Sequence, residues 1–196
     1  MAHVAYPGIQ KEAYISIDVE TSGPAPSRYD LLSIGACLAE EPEKGFYVEL
    51  QPVTGNVMAG TLAISDLSME VLAETGMPPE KAMAQFEKWL HDVVPQTHRP
   101  IFVALNAPFD WMFVADYFNR YLRHNPFGHS ALDIKAFYMG LVGATWAQTS
   151  MRYLSRRYLS GRKLTHNALQ DARDQAEVFC HILKEARAKH DFEVTE

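Results

Sequence analysis

The sequence predicts one α/β domain built on a mixed β-sheet. Three observations carry that expectation. Short strand-like runs with tight polar connections fill the N-terminal third. A helical pattern, a short apolar run and further helical patterns follow. The 196 residues, 47% hydrophobic, suffice for one sizeable core.

The first strand is read over residues 13–19, within AYISIDVETSG. TSGPAPSRYD is a turn, rich in Gly, Pro and Ser. LLSIGACLA (31–39) is a second strand, EEPEKG a polar connection, and FYVELQP (46–52) a third strand. Such short connections imply an antiparallel three-strand meander. Residues 53–76 read as irregular, with a short helix near 65–74. Residues 78–94 form a helix with Pro at its start and Ala82, Phe86, Trp89, Leu90 and Val93 at helical spacing. PIFVAL (100–105) is short and wholly apolar, as a buried parallel strand is.

Asn106 and Pro108 mark the next helix start, with an apolar stripe of Phe109, Met112, Phe113, Tyr117 and Tyr121. ALDI (131–134) is a fifth strand, residues 146–160 are helical, and the last helix runs from about Ala168 to Lys189. Residues 1–12 read as a flexible leader, 13–190 as a single domain and 191–196 as a tail.

No apolar run has the length of a membrane helix, so no membrane partner is expected. The first dozen residues lack a signal peptide's apolar core. Cys37 and Cys180 lie among apolar neighbours and read as reduced thiols of a cytoplasmic protein. The net charge of −6 argues against broad electrostatic binding of nucleic acid. It leaves room for local binding where carboxylates hold divalent cations.

Strand alternation puts Tyr14, Ser16, Asp18 and Glu20 on one face and Ile15, Ile17 and Val19 on the other. Two neighbouring acids on an otherwise apolar strand repel each other and are costly to desolvate. A divalent cation offsets that cost, and hard oxygen ligands suit Mg²⁺ or Mn²⁺. Asp110 and Asp171 each fall in the first turn of a helix. The helix dipole alone accounts for an acid there. Asn167 and Gln170 have the spacing of a capping box. On the last helix, the stripe Ala168, Ala172, Ala176, Phe179, Leu183 and Ala186 sets the buried side. Asp171 sits at its edge, and Asp174 and Glu177 project toward solvent. His166 lies in the loop before that helix, where a neutral imidazole can accept a proton from water.

DVETSG (18–23), NAPFD (106–110) and HNALQDA (166–172) resemble the three exonuclease motifs of the DnaQ-like superfamily. The patterns D-x-E, N-x-x-F-D and H-x-A-x-x-D-A stand in the family's order. The five-residue step from His166 to Asp171 matches its histidine (DEDDh) branch, and the resemblance spans residues 13 to about 187. It implies a ribonuclease H-like fold, a mixed five-stranded sheet flanked by helices. It also implies a 3′→5′ exonuclease that uses two Mg²⁺ or Mn²⁺ ions and releases nucleoside 5′-monophosphates. By this resemblance Asp18, Glu20 and Asp171 hold one ion, Asp18 bridges to the second, Asp110 lies near that second ion, and His166 is the general base. Thr21 and Ser22 would cradle the 3′-terminal nucleotide, with Asn106 and Phe109 also on the substrate.

Pro24 stands where many members carry a bulky apolar residue that packs on the terminal base. Phe109 and Trp111 flank the third acid as alternatives for stacking, or as core. Asp133 reads as a structural acid, capping or binding backbone. The basic run RYLSRRYLSGRK (152–163) is a solvated helix face or a phosphate contact, with Arg152 and Arg156 one turn apart.

The expected partner is a single-stranded DNA or RNA 3′ end. An oligoribonuclease-like or ribonuclease T-like RNA-trimming activity is the rival, and a non-catalytic nucleic-acid-binding module the other class. A homodimer and a polymerase or repair partner stay open.

Overall fold

The computed structural model describes residues 11–62, 67–163 and 165–193. A five-stranded sheet runs through them in the order β3-β2-β1-β4-β5. β1 (Lys11–Thr21), β2 (Leu31–Leu38) and β3 (Glu41–Glu49) form the antiparallel meander. β4 (His98–Ala104) lies parallel to β1, and β5 (Ala131–Asp133) parallel to β4. The predicted α/β class and mixed sheet are what the chain adopts.

The helices are α1 (Met69–Thr75), α2 (Pro79–Val93), α3 (Ala107–Tyr117), α4 (Ile134–Val142), α5 (Met151–Tyr158) and α6 (Ala168–Glu193). A π-helical turn (Phe118–Leu122) extends α3, and a 3₁₀ turn (Trp146–Thr149) precedes α5.

Several boundaries differ from expectation. β1 begins at Lys11, inside the expected leader, while residues 1–10 lie outside the described range. β3 begins at Glu41 and ends at Glu49, because EEPEKG is mostly strand rather than connection; only Ala39 and Glu40 link it to β2. Its outer residues are exposed, so polar side chains there carry no cost of burial. The sequence reading omitted α4, whose N-terminus is capped by Asp133. α6 continues to Glu193, into the expected tail; 194–196, like residues 65 and 66 of the expected short helix, lie outside the described residues.

The alternation of β1 separates two packed layers. Ile15, Ile17 and Val19 join Phe86 and Leu90 of α2 and Phe113 and Val114 of α3 in one core. Burying each such aliphatic or aromatic side chain contributes roughly 1.5–3 kcal/mol. On the other face Tyr14 packs on Phe179 of α6, ring centroids 5.0 Å apart, and the Ser16 hydroxyl donates to the Ala172 carbonyl at 2.8 Å.

α6 comes this close because its facing residues are small, with Ala168, Ala172 and Ala176 fully buried. Gly35 of β2, paired with Asp18 of β1, lies under the helix start. A methyl group on Gly35 would overlap the Ala168 carbonyl carbon and the Leu169 amide nitrogen. The helix N-terminus therefore rests on bare β2 backbone, beside the acids of β1.

Cys37 is buried and Cys180 half-buried, and both are free thiols. Burial pushes the Cys37 thiol up to about 12, which leaves it an inert core group.

Candidate active site

The site forms where β1 outruns β4. Pairing with β4 ends at Ser16, so the β1 backbone beyond it needs another partner. Asp110 of α3 supplies one, its Oδ1 accepting the Val19 amide at 3.1 Å. That bond ties the first turn of α3 to the strand carrying Asp18 and Glu20. The chain reaches α3 through Asn106, which is exposed and left-handed (φ 68°) and makes no side-chain cap. Asp133 takes over the polar work. Its Oδ2 accepts the Ala107 amide at 2.6 Å and its Oδ1 the Ala136 amide at 2.7 Å, so one carboxylate anchors both α3 and α4.

Asp171 is set by the loop before α6. Its Oδ1 accepts the amide (2.9 Å) and hydroxyl (3.1 Å) of Thr165, and its Oδ2 accepts the His166 amide at 3.0 Å. His166 is left-handed (φ 56°) and its imidazole is exposed. Asn167 caps α6 by accepting the Gln170 amide at 3.1 Å. The reciprocal half of the expected capping box is not made, since the Gln170 side chain donates forward to Asp174 at 3.0 Å.

Asp174 corrects the helical projection. It is 1% exposed, because Arg162 from the preceding turn folds onto it at 2.6 Å. Glu177 is 42% exposed and meets the same guanidinium at 3.2 Å. A projection of one helix does not register a cation delivered by a neighbouring turn.

Glu20, His166 and Asp171 each offer a ligand atom, all within 4.8 Å of one another. The acids perturb one another. Burial pushes Asp18 well above the carboxylate range; Asp110, Glu20 and Asp171 push it further, and a hydrogen bond from Gln175 opposes them. Burial and then Asp171 raise Glu20 to about 7. Burial raises Asp110 to about 8 against the Val19 hydrogen bond, with Glu20 and Asp133 adding to the rise. Carboxylates held this close disfavour one another's charged forms, a cost that a cation between them would offset. Carboxylate oxygens with one imidazole at the edge are a donor set that could hold a divalent cation.

The remaining predicted residues divide by placement. Thr21 is 5% exposed, its hydroxyl donating to the Gly23 carbonyl at 2.9 Å. Ser22 is fully buried; its hydroxyl accepts the Asp30 amide at 2.8 Å and its carbonyl accepts the Met58 amide at 2.8 Å. Pro24 is exposed. Phe109 is half-buried against Phe113, centroids 5.5 Å apart, and Trp111 meets Phe102 edge-on at 5.2 Å. Arg152 and Arg156 are exposed on α5 and do not join the acids.

Thr165, which holds Asp171, escaped the sequence reading, and so did Gln175 and Gly35. Gln175 donates to Asp18 Oδ1 at 2.6 Å while its Oε1 accepts the Leu105 amide at 2.7 Å, bracing the acid against the end of β4. Its signal was the i,i+4 offset from Asp171, which puts both on one helix face. Gly35 was legible only as a glycine within a strand run, which often marks close backbone approach.

Known proteins agree with this architecture. The family described as the 3′-5′ exoribonuclease Rv2179c-like domain matches residues 13–183. A 3′-5′ DNA exonuclease, Cap18 of Escherichia coli, is 43% identical over 179 residues, covering 91% of this chain and 96% of its own. Ribonuclease T of Shewanella denitrificans is 29% identical, with 89% and 81% covered. Among solved structures, the nuclease domain of 3′hExo, a DEDDh family member bound to rAMP, superimposes with a TM-score of 0.71 at 13% identity. That superposition covers 89% of this chain and 93% of that domain, and shows the shared fold. Among the described residues no helix is long and apolar enough to cross a membrane.

Proposed function

The chain belongs to the Rv2179c-like family within the DEDDh 3′→5′ exonucleases, hydrolytic nucleases of ribonuclease H-like fold, and from that premise we propose that it trims single-stranded DNA from the 3′ end. The observation that carries the reading is the convergence of Asp18, Glu20, Asp110 and Asp171 from β1, α3 and α6 beside His166. Kinship with the DNA exonuclease of E. coli over nearly its whole length favours DNA. A second reading, RNA ends, has the family's description and the ribonuclease T relatives in its favour.

Asp18, Glu20 and Asp171 would hold one divalent ion, and Asp18 with Asp110 a second. When bound, such ions neutralise phosphate charge and lower the pKa of water. The protein's own groups do the rest. Gln175 keeps Asp18 oriented, and the Thr165–His166 backbone keeps Asp171 oriented. The backbone around Thr21 would cradle the terminal nucleotide, with Asn106 and Phe109 at its side; Ser22 is enclosed, its amide, hydroxyl and carbonyl bound to Asp30 and Met58, and supports that turn. His166 takes the proton of the attacking water, and its exposed loop position lets it do so as substrate arrives. The water oxygen joins phosphorus and the P–O3′ bond of the last phosphodiester breaks; the departing 3′-oxygen takes a proton from solvent, leaving a shortened strand with a 3′-hydroxyl and a nucleoside 5′-monophosphate.

The test uses matched 5′-labelled single-stranded DNA and RNA oligomers with Mg²⁺ or Mn²⁺. Stepwise shortening of DNA from its 3′ end, lost in Asp18→Ala, is expected. Faster shortening of RNA would select the second reading. No shortening of either polymer would overturn both.

A further inference from the structure

We propose that the cavity of about 560 Å³ beside His166 is the track for phosphates 5′ of the scissile bond, gripped by Arg152, Arg156 and Lys163; this rests on the exonuclease reading above.

The basic run divides into two sets. Arg157 meets Glu185 at 3.1 Å and donates to the Tyr138 hydroxyl at 3.1 Å. Arg162 is committed to Asp174 and Glu177. These two cations fasten α5 and the following turn to α6. Arg152, Arg156 and Lys163 are exposed and have no ion pair or side-chain hydrogen bond among the described residues. Their side chains are open to a ligand.

Their placement is fixed. α5 buries Met151, Leu154 and Ser155, which sets its rotation and turns Arg152 and Arg156 outward on one face. Four residues of helix rise about 6 Å, so the two guanidinium groups form a ladder rather than a point. The Ser155 hydroxyl donates to the Arg162 carbonyl, and the left-handed pair Ser160 (φ 55°) and Gly161 (φ 81°) turns the chain back. Lys163 thereby faces the cavity that Arg152 and Arg156 line, and His166 lines it as well. A strand whose scissile phosphate lies at His166 enters this cavity directly.

Charge selects this cavity. Among the described residues no carboxylate lines it, although the whole chain carries a net charge of −6. The cavity of about 590 Å³ on the other side of Arg162 also has cations, Arg173 and Lys184, but sets Glu40, Glu43 and Glu177 among them. A polyanion is repelled there and attracted here. Phosphate contacts position a strand without reading its bases, so the track acts through length and salt, not sequence.

The experiment compares a single-stranded DNA ten-mer with a dinucleotide, which has no phosphate to place in the track. In the Arg152→Ala/Arg156→Ala double variant, the ratio of kcat/KM for ten-mer over dinucleotide should fall about tenfold relative to the native protein. Anisotropy of a labelled ten-mer in chelator gives a second readout. Two lost contacts should flatten the slope of log K against log salt by about 1.4. Arg152→Lys/Arg156→Lys should restore most of both. Arg157→Ala should lower the melting temperature with the ratio unchanged. An unchanged ratio and slope in the alanine pair would overturn the track and leave the exonuclease reading standing. Failure of the native protein to cut either substrate would overturn that reading as well.

Discussion

Gln175 Nε2 lies 2.6 Å from Asp18 Oδ1, and the same side chain accepts the Leu105 amide at 2.7 Å. One amide thus links α6, the end of β4 and an acid of the site. Gln175→Leu should leave the Leu105 amide without a partner and Asp18 without its brace. An unsatisfied buried donor costs about 1–3 kcal/mol, to be read by urea unfolding in chelator. Exonuclease turnover should fall about tenfold or more beyond what lost stability explains. Full activity in a destabilised variant would assign Gln175 to the fold alone.

Gly35 sets how closely α6 approaches β1. Gly35→Ala places a methyl against the Ala168 and Leu169 backbone, which has no flexible end to move aside. Overpacking of this kind typically costs about 1–3 kcal/mol. Because the displaced element carries Asp171, the Mn²⁺-dependent rise in melting temperature should shrink together with stability. A variant melting lower but gaining as much from Mn²⁺ as the native protein would separate packing from the site.

The raised acids make metal-free stability fall with pH. Glu20 (about 7) and Asp110 (about 8) bind protons in the folded chain that the unfolded chain, with ordinary carboxylates, has already released. The folded state then holds more protons, so the slope of unfolding free energy against pH is negative. Their stabilising contribution is fully present below about pH 4 and is lost as pH rises through about 7 and about 8. Chelated protein should melt progressively lower from pH 5 to pH 8.5, and excess Mg²⁺ or Mn²⁺ should raise the melting temperature most at the alkaline end. A divalent increment independent of pH would contradict this linkage.

His166→Ala separates two roles for the imidazole. As general base it contributes roughly 10²–10⁴-fold to turnover. Turnover should fall by that factor, with Mn²⁺ affinity by calorimetry nearly unchanged. A ring nitrogen lies within 4.8 Å of a carboxylate oxygen of Glu20 and of Asp171, so a collapse of Mn²⁺ affinity would make it a ligand instead.

Much of this architecture is legible along the chain because it is local. Alternation in AYISIDVE separated the core face of β1 from the acid face, and both faces pack as that pattern requires. Pro78, Pro108 and Asn167 marked helix starts through restricted dihedrals and side-chain capping, which depend on near neighbours. Polar strand residues at Glu41–Lys44 and the short α4 were missed, since the exposed edge of a sheet and a capped helix of nine residues carry weak periodic signals.

The sequence by itself determined the identity and order of the acids, where the helices carrying Asp110 and Asp171 begin, and the histidine loop, each a consequence of spacing over a few residues. Only the tertiary structure decided what those groups meet. Gly35 admits α6 to the sheet, Gln175 braces Asp18, Arg162 covers Asp174, and Arg152, Arg156 and Lys163 line one cavity with His166. Each of these joins residues distant along the chain or on separate elements, and packing alone sets the distance between them.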